Sequence, residues 1–314
     1  MATATLLTAP GDEIHDRSHE PTSDESWQES WYLTFYDPIT GAGGSYHLGL
    51  QTPRGRADVW NWTVADRRVI GHFESLTLPM PEDDLSDLDL GGLDIRTERP
   101  LRDYTVTATY PGSPVVSDIR YEAFTEPFAF GLDGDGVQIG SSHYETFGRV
   151  TGAVHDADGR RTEFSTWAFQ DHSWGPRDWT SLKSHRWICA TFGEDLFMSV
   201  SGFVTAAGIR VSGYVFDGEF RAVEHVSFGA SVADDGYSPL GCDAQIWTIC
   251  GRGYHVVGRC EVTDLNSHDN GWFAADGLTV FETGGRLGTG MFEVAECKTL
   301  TPAMLAALGR GGRS

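Results

Sequence analysis

Between Phe169 and Trp179 the chain reads Phe169-Gln170-Asp171-His172-Ser173-Trp174-Gly175-Pro176-Arg177-Asp178-Trp179. Trp is costly to expose, and Arg and Asp are costly to bury unless paired. A segment that mixes them predicts an organised polar cluster in an apolar wall, the composition of a small-molecule site. Asp171 beside His172 can orient the imidazole tautomer and raise its basicity, which suits general acid–base work. The same pair would equally serve as a buried polar pair that fixes a strand end. Trp174 and Trp179 offer apolar walls, and their π faces can stabilise a cationic centre. Arg177 and Asp178 read as a structural ion pair, the guanidinium forking onto a carboxylate to hold the loop rigid. To protonate anything at neutral pH, a carboxyl must be raised well above ~4, which desolvation by the indoles would do.

A second set lies just upstream, at His143-Tyr144-Glu145. On a strand, alternation points His143 and Glu145 to one face and Tyr144 to the other. Facing inward, the pair is an acid–base element; facing outward, it is merely solvated. Asp83-Asp84-Leu85-Ser86-Asp87 has the letters of a magnesium-binding Asp-Asp-x-x-Asp motif. That motif works from a long helix, and Pro79, Pro81, Gly91 and Gly92 argue against one here. Asp133-Gly134-Asp135-Gly136 and Asp156-Ala157-Asp158-Gly159 resemble calcium loops but lack the late bidentate Glu, so both are expected to be turns. No P-loop, nucleophile elbow, His-Glu-x-x-His or dinucleotide fingerprint occurs. No Cys/His set has zinc spacing. The expectation is therefore a site with no metal and no cofactor, and with neither redox nor phosphoryl-transfer chemistry.

The elements that must position these groups are strands. Tyr32–Tyr36, Gly44–Leu50, Ala57–Val64, Tyr104–Tyr110, Trp187–Phe192, Leu196–Ser201, Ile209–Phe216, Tyr254–Val257, Gly277–Phe281 and Gly288–Ala295 are rich in β-branched and aromatic residues. They are bounded by Gly, Pro, Asp or Asn, and Asp-Gly turns recur between them. Glu163 to Phe169 leads into the opening motif as another strand. Only Thr301–Leu308 reads as a helix, with Thr301-Pro302 as cap and first residue. Many short strands joined by tight turns indicate an all-β chain of antiparallel barrels or sandwiches. A length of 314 residues fits two domains. The expected division is an acidic disordered tail at 1–25, β domains at 26–180 and 181–300, and a helix and tail at 301–314. The net charge of −22 argues against nucleic acid or anionic membrane as a partner. No run is long and apolar enough for a membrane span, and Met1 to Glu25 lacks the pattern of a secretory signal. Five scattered cysteines without a C-x-x-C pair suit reduced thiols in a cytoplasmic protein.

Asp171-His172-Ser173-Trp174-Gly175 resembles the Asp-His-x-Trp-Gly signature of the carotenoid 1,2-hydratase and AttH-like proteins, which are related in architecture to lipocalin-type Diels–Alderases. The longer form through Trp179 is similar to a bacterial branch of that group. Glu29-Ser30-Trp31-Tyr32-Leu33-Thr34-Phe35-Tyr36-Asp37 resembles the branch's opening strand, and His143 to Gly152 the strand before its signature. Gly288-Thr289-Gly290-Met291-Phe292-Glu293 is like the hydratases' Gly-x-Gly-x-x-Glu close. Their Trp-Glu-Gly segment has Gly271-Trp272-Phe273 as its nearest counterpart. The resemblance implies two lipocalin-like β-barrel domains packed side by side around an apolar cavity at their junction. It also implies a lyase or isomerase that hydrates, dehydrates or cyclises a hydrophobic isoprenoid- or polyketide-like molecule without a cofactor. Asp171, His172, His143, Glu145 and Glu293 would be its acid–base residues. Trp174, Trp179, Trp187, Trp31 and Tyr36 would line the pocket. A carrier that holds a lipophilic ligand without chemistry would use the same pocket. Fold alone does not decide between them.

Overall fold

A computed structural model describes residues 5–132, 138–267 and 272–297. The predicted helix at Thr301–Leu308 and the Asp133-Asp135 turn lie outside them. The chain divides into two compact units, 1–134 with 138–178, and 135–137 with 179–314.

The first unit holds β1 (Thr5–Leu6), β2 (Trp27–Asp37), β3 (Ala42–Gln51), β4 (Arg56–Ala65), β5 (Arg68–Pro79), β6 (Asp87–Leu90) and β7 (Leu93–Arg99). It continues through β8 (Asp103–Tyr110), β9 (Ser113–Ala123), β10 (Phe128–Ala129), β11 (Ser142–His155) and β12 (Arg161–Pro176). These make one antiparallel sheet in the order β5-β4-β3-β2-β12-β11-β9-β8-β7-β6, with β10 joining β11 to β1. The sheet curls into a half-barrel. Side chains at i, i+2 and i+4 of a strand share a face. Trp31, Leu33 and Phe35 of β2 therefore join Tyr46, Leu48, Val59, Tyr104, Val106, Val150 and Phe164 in one core. Polar bonds cross this interior as well. Tyr46 Oη lies 2.9 Å from Thr63 Oγ1 and donates to Ser117 Oγ at 3.1 Å, tying β3 to β4 and β9.

The second unit holds β13 (Leu182–Gly193), β14 (Leu196–Thr205), β15 (Gly208–Phe216), β16 (Phe220–Val232), β17 (Pro239–Thr248), β18 (Gly253–Ser267), β19 (Trp272–Thr283) and β20 (Arg286–Cys297). Each pairs with the next and β20 pairs with β13, so the sheet closes into a barrel without edges. Its core is Ile188, Met198, Val200, Val215, Ile246, Val256, Phe281 and Phe292 among others. Gly290 permits the closure: a Cβ there would stand 1.9 Å from the Cys189 carbonyl oxygen on β13. The all-β, lipocalin-like architecture expected from the sequence is thus observed.

Two local expectations need correction. The strand expected over Glu163 to Phe169 is longer at both ends, because β12 runs from Arg161 through the motif to Pro176 and pairs with β2 as far as Trp27. Nor do the described residues of the N-terminal segment lie free. A 3-10 turn at Asp12–Asp16 seats Asp16, whose carboxylate accepts hydrogen bonds from Tyr104 Oη at 2.7 Å, Tyr144 Oη at 2.9 Å and the Leu101 amide at 3.2 Å. The sequence shows only that this stretch is polar; the two buried tyrosines that need an acceptor lie 88 and 128 residues away. Among the described residues no helix is long and apolar enough to cross a membrane.

Candidate functional site

Strand alternation separates the two residues that the sequence placed together. Asp171 and His172 are consecutive on β12, so their side chains leave opposite faces of the sheet. The expected Asp171–His172 pair does not form, and each residue belongs to its own cluster.

On Asp171's face, Glu145 stands directly across on β11, and His143 lies across from Ser173. Opposed residues in an antiparallel pair hold their Cβ atoms about 5 Å apart. His143 Nε2 lies 2.9 Å from Glu145 Oε1, and both residues are buried. His143 Nδ1 has no hydrogen-bond partner among the described residues, and Phe130 packs edge-on to its ring at 4.9 Å. Arg177 Nη2 donates to Ser30 Oγ at 2.8 Å, to Ser173 Oγ at 2.9 Å and to the Ser173 carbonyl at 3.0 Å. The guanidinium thereby clamps β12 to β2 at this end. Asp178 is exposed, and its amide donates to the Gln138 carbonyl at 2.6 Å.

Burial pushes the Asp171 carboxyl up to about 7, with Glu145 adding to the effect and His143, Arg177 and His172 opposing it. Burial alone would depress His143. The hydrogen bond to Glu145 and the nearby carboxylates of Asp171 and Glu145 outweigh it and, against Arg177, hold the imidazole above its ordinary value. A desolvated carboxyl beside a carboxylate-paired imidazole can exchange a proton with a reacting molecule.

On the opposite face, His172 Nε2 lies 2.8 Å from Glu29 Oε1 of β2. The same oxygen is 2.6 Å from His19 Nδ1, and the His19 amide donates to Glu29 Oε2 at 3.0 Å. His15 Nδ1 is 3.2 Å from His19 Nε2. The Trp174 indole stacks on the His19 ring at 3.6 Å and meets His172 edge-on at 5.2 Å. Burial would raise Glu29, but the hydrogen bonds from His172 and His19 bring its carboxyl down to about 2. His15 is lowered by burial and by His19.

The remaining sequence candidates are dispersed. Trp31 sits in the first unit's core, edge-on to Tyr104 at 6.0 Å, and Tyr36 is fully buried on β2. Glu293 belongs to the second unit, 2.7 Å from His185 Nδ1. Trp187, on the same barrel, donates from Nε1 to Ser199 Oγ at 3.1 Å. Trp179 is likewise in the second unit, 5.9 Å from Trp272. The Asp83–Asp87 letters fall on a bend: the Asp84 carboxylate accepts the Ser86 amide at 3.0 Å, and β6 begins at Asp87. Asp156 caps its own turn by accepting the amides of Asp158 and Arg160.

Sequence reasoning missed Glu29, His15, His19, Asp16, Ser30 and Ser173. Glu29 and Ser30 were recognisable as flanking Trp31 on a strand. That they face β12 depends on a register between segments 143 residues apart.

A family model described as "Domain of unknown function (DUF7064)" matches residues 12–298. The chain belongs to this DUF7064 family. No curated protein matches it. Among solved structures, a Nitrosomonas europaea protein provisionally labelled AttH superposes with a TM-score of 0.63 at 12% identity, covering 93% of this chain and 98% of that one. CghA superposes at 0.56 with 11% identity, covering 92% of this chain and 90% of that one. CghA solved with Sch210972 gives 0.56 at 12% identity, covering 95% and 98%. At such identities the likeness is one of fold. What this DUF7064 chain shares with them is a lipocalin-like all-β architecture.

Proposed function

We propose that this DUF7064 protein is a lyase or isomerase acting by acid–base chemistry on a hydrophobic, isoprenoid- or polyketide-like small molecule, by alkene hydration, dehydration or cyclisation. The observation that carries the reading is geometric. A desolvated carboxyl, Asp171, faces a buried His143–Glu145 pair across two strands, and Arg177 locks the strand end. A carrier needs few buried acids; here two carboxyls and an imidazole are buried together beside Phe130, on the face of β11 and β12 opposite the half-barrel core. In the reaction, Asp171 delivers or orients the proton, and His143 with Glu145 takes up the complementary proton. CghA, of the same fold, has been solved with the small molecule Sch210972, which supports small-molecule binding as the use of this architecture.

The test is turnover of a panel of polyenes and prenylated or polyketide compounds by the wild type and by Asp171→Asn. The expected result is turnover of at least one compound by the wild type, lost in an Asp171→Asn variant that keeps its thermal midpoint and still binds the compound. Equal rates would remove Asp171 from the chemistry. Binding without turnover by the wild type would make the protein a carrier.

A further inference from the structure

The cluster behind β12 offers a different kind of site. His19 Nδ1, Glu29 Oε1 and His172 Nε2 come from three separate stretches of chain, yet lie within 4.8 Å of one another. Each carries a lone pair when the imidazoles are neutral and the carboxyl is ionised. Two imidazoles and one carboxylate are the donor set that suits zinc and its first-row neighbours, and three protein donors leave a coordination position open.

The surroundings fit a metal as well as the donors do. Ligating imidazoles characteristically donate their other ring N–H to an outer acceptor, which fixes tautomer and orientation. His19 Nε2 has such a neighbour in His15 Nδ1 at 3.2 Å. The His19 amide donates to both Glu29 oxygens, at 3.0 Å to Oε2 and 3.2 Å to Oε1, and so fixes the carboxylate with Oε1 beside the two ring nitrogens. The indole of Trp174 lies flat on His19 at 3.6 Å and sets the plane of that ring. Glu29 and His172 are buried, with side-chain exposures of 1% and 0%, whereas His19 is 17% exposed and provides a route in from solvent. His172 departs from this pattern: its Nδ1 is buried without a hydrogen-bond partner among the described residues, so the packing around the ring, not an outer acceptor, sets its orientation.

We propose that His19, Glu29 and His172 form a binding site for one divalent transition-metal ion of the zinc class, supported by His15 and closed by the N-terminal segment. The ion takes the place of the protons in the two imidazole–Glu29 hydrogen bonds; a neutral ring shifts that proton to its other nitrogen, and an imidazolium releases it to solvent. Because one ligand is on the N-terminal segment and two are on β2 and β12, the ion pins that segment to the half-barrel. This inference does not rest on the function proposed for Asp171.

The probe is Zn2+, titrated calorimetrically into the full chain after chelator treatment, with excess Mg2+ present. Mg2+ occupies carboxylate-only surface sites and competes poorly for imidazole. One equivalent is expected to bind, raise the thermal midpoint and slow amide exchange over residues 12–19. His19→Ala should weaken binding more than the ~10–100-fold typical of losing an outer partner, and His15→Gln should fall within that range. Glu29→Gln and His172→Asn alter buried positions, so the decisive variant is the half-buried His19→Ala, which loses the Glu29 bond and the Trp174 stacking but should still melt cooperatively in chelator, at a lower midpoint than the wild type. The proposal is overturned if the wild type takes up no zinc in Mg2+. It is equally overturned if His19→Ala, with a cooperative melt, binds zinc as tightly as the wild type.

Discussion

At the scale of single residues, the features of most consequence are polar groups placed where water cannot reach them. Arg177, which is part-buried, illustrates the energetics at the edge of such a cluster. Its one nitrogen reaches Ser30, Ser173 and the Ser173 carbonyl. Hydrogen bonds from a charged donor contribute roughly 1.5–3 kcal/mol each to stability when desolvated. The two hydroxyls are also 3.0 Å from each other and can pair when the guanidinium is gone. Arg177→Met is therefore expected to cost ~1–3 kcal/mol in urea denaturation, not the sum of three bonds. The sequence showed that Asp171, His143, Glu145 and Arg177 are unusual, but it did not show their grouping. His143 and Glu145 on one face follows from the period of two. So does the placing of His172 on the face opposite Asp171, once β12 is known to run through the motif; the union of His143 and Glu145 with Asp171 follows only from the β11–β12 register. Glu29, which meets His172, was invisible as a partner because no local spacing relates residues on different strands.

At the scale of elements, strands were legible and their ends were not. Alternating aromatic and β-branched runs marked the cores of β2, β3, β4 and β8. The extension of β12 through Gly175-Pro176 was hidden because Gly and Pro ordinarily punctuate. Here Pro176 is the last residue of the strand, where its missing N–H is tolerated. The N-terminal segment was misread because its anchor is a single acid. Asp16→Ala leaves the Tyr104 and Tyr144 hydroxyls without their acceptor; a loss of ~2 kcal/mol or more is expected, with faster amide exchange over residues 12–19. In the second unit, Asp217 ties β15–β16 to β18 through Arg221, Arg252 and Tyr254. Burial would raise its pKa, but these partners hold it below the ordinary 3.8. A group whose folded-state pKa is depressed contributes stability above its unfolded pKa, and that contribution is lost as pH falls through the folded value. Asp217→Asn should therefore lower the urea midpoint at pH ~7. The gap to the wild type should narrow as pH falls below ~4 and close in stronger acid.

At the scale of the whole molecule, composition set a boundary on behaviour. A net charge of −22 across 314 residues repels itself in the folded state, and screening shortens its reach to about 10 Å at 0.1 M salt. The urea midpoint is expected to rise between ~0.01 and ~0.15 M NaCl, and a flat or falling midpoint would show that favourable ion pairs dominate. The two units have separate cores and differ in how they treat their edges, one sheet curled and open, the other closed. Strand content and turn spacing announced barrels. That the second closes by hydrogen bonds depends on β20 returning to β13, a long-range pairing that no window of sequence contains.

The two-sidedness of β12 bears on how this family can change over time. Substitutions at 171, 172, 173 or 174 each touch one cluster and leave the other intact. Insertion or deletion of one residue upstream within the strand would carry every later side chain to the reverse surface, sending imidazole where carboxyl stood and carboxyl where imidazole stood. Length variation among descendants should therefore collect in the turns, such as the one between His155 and Arg161, while β12 itself keeps a constant residue count.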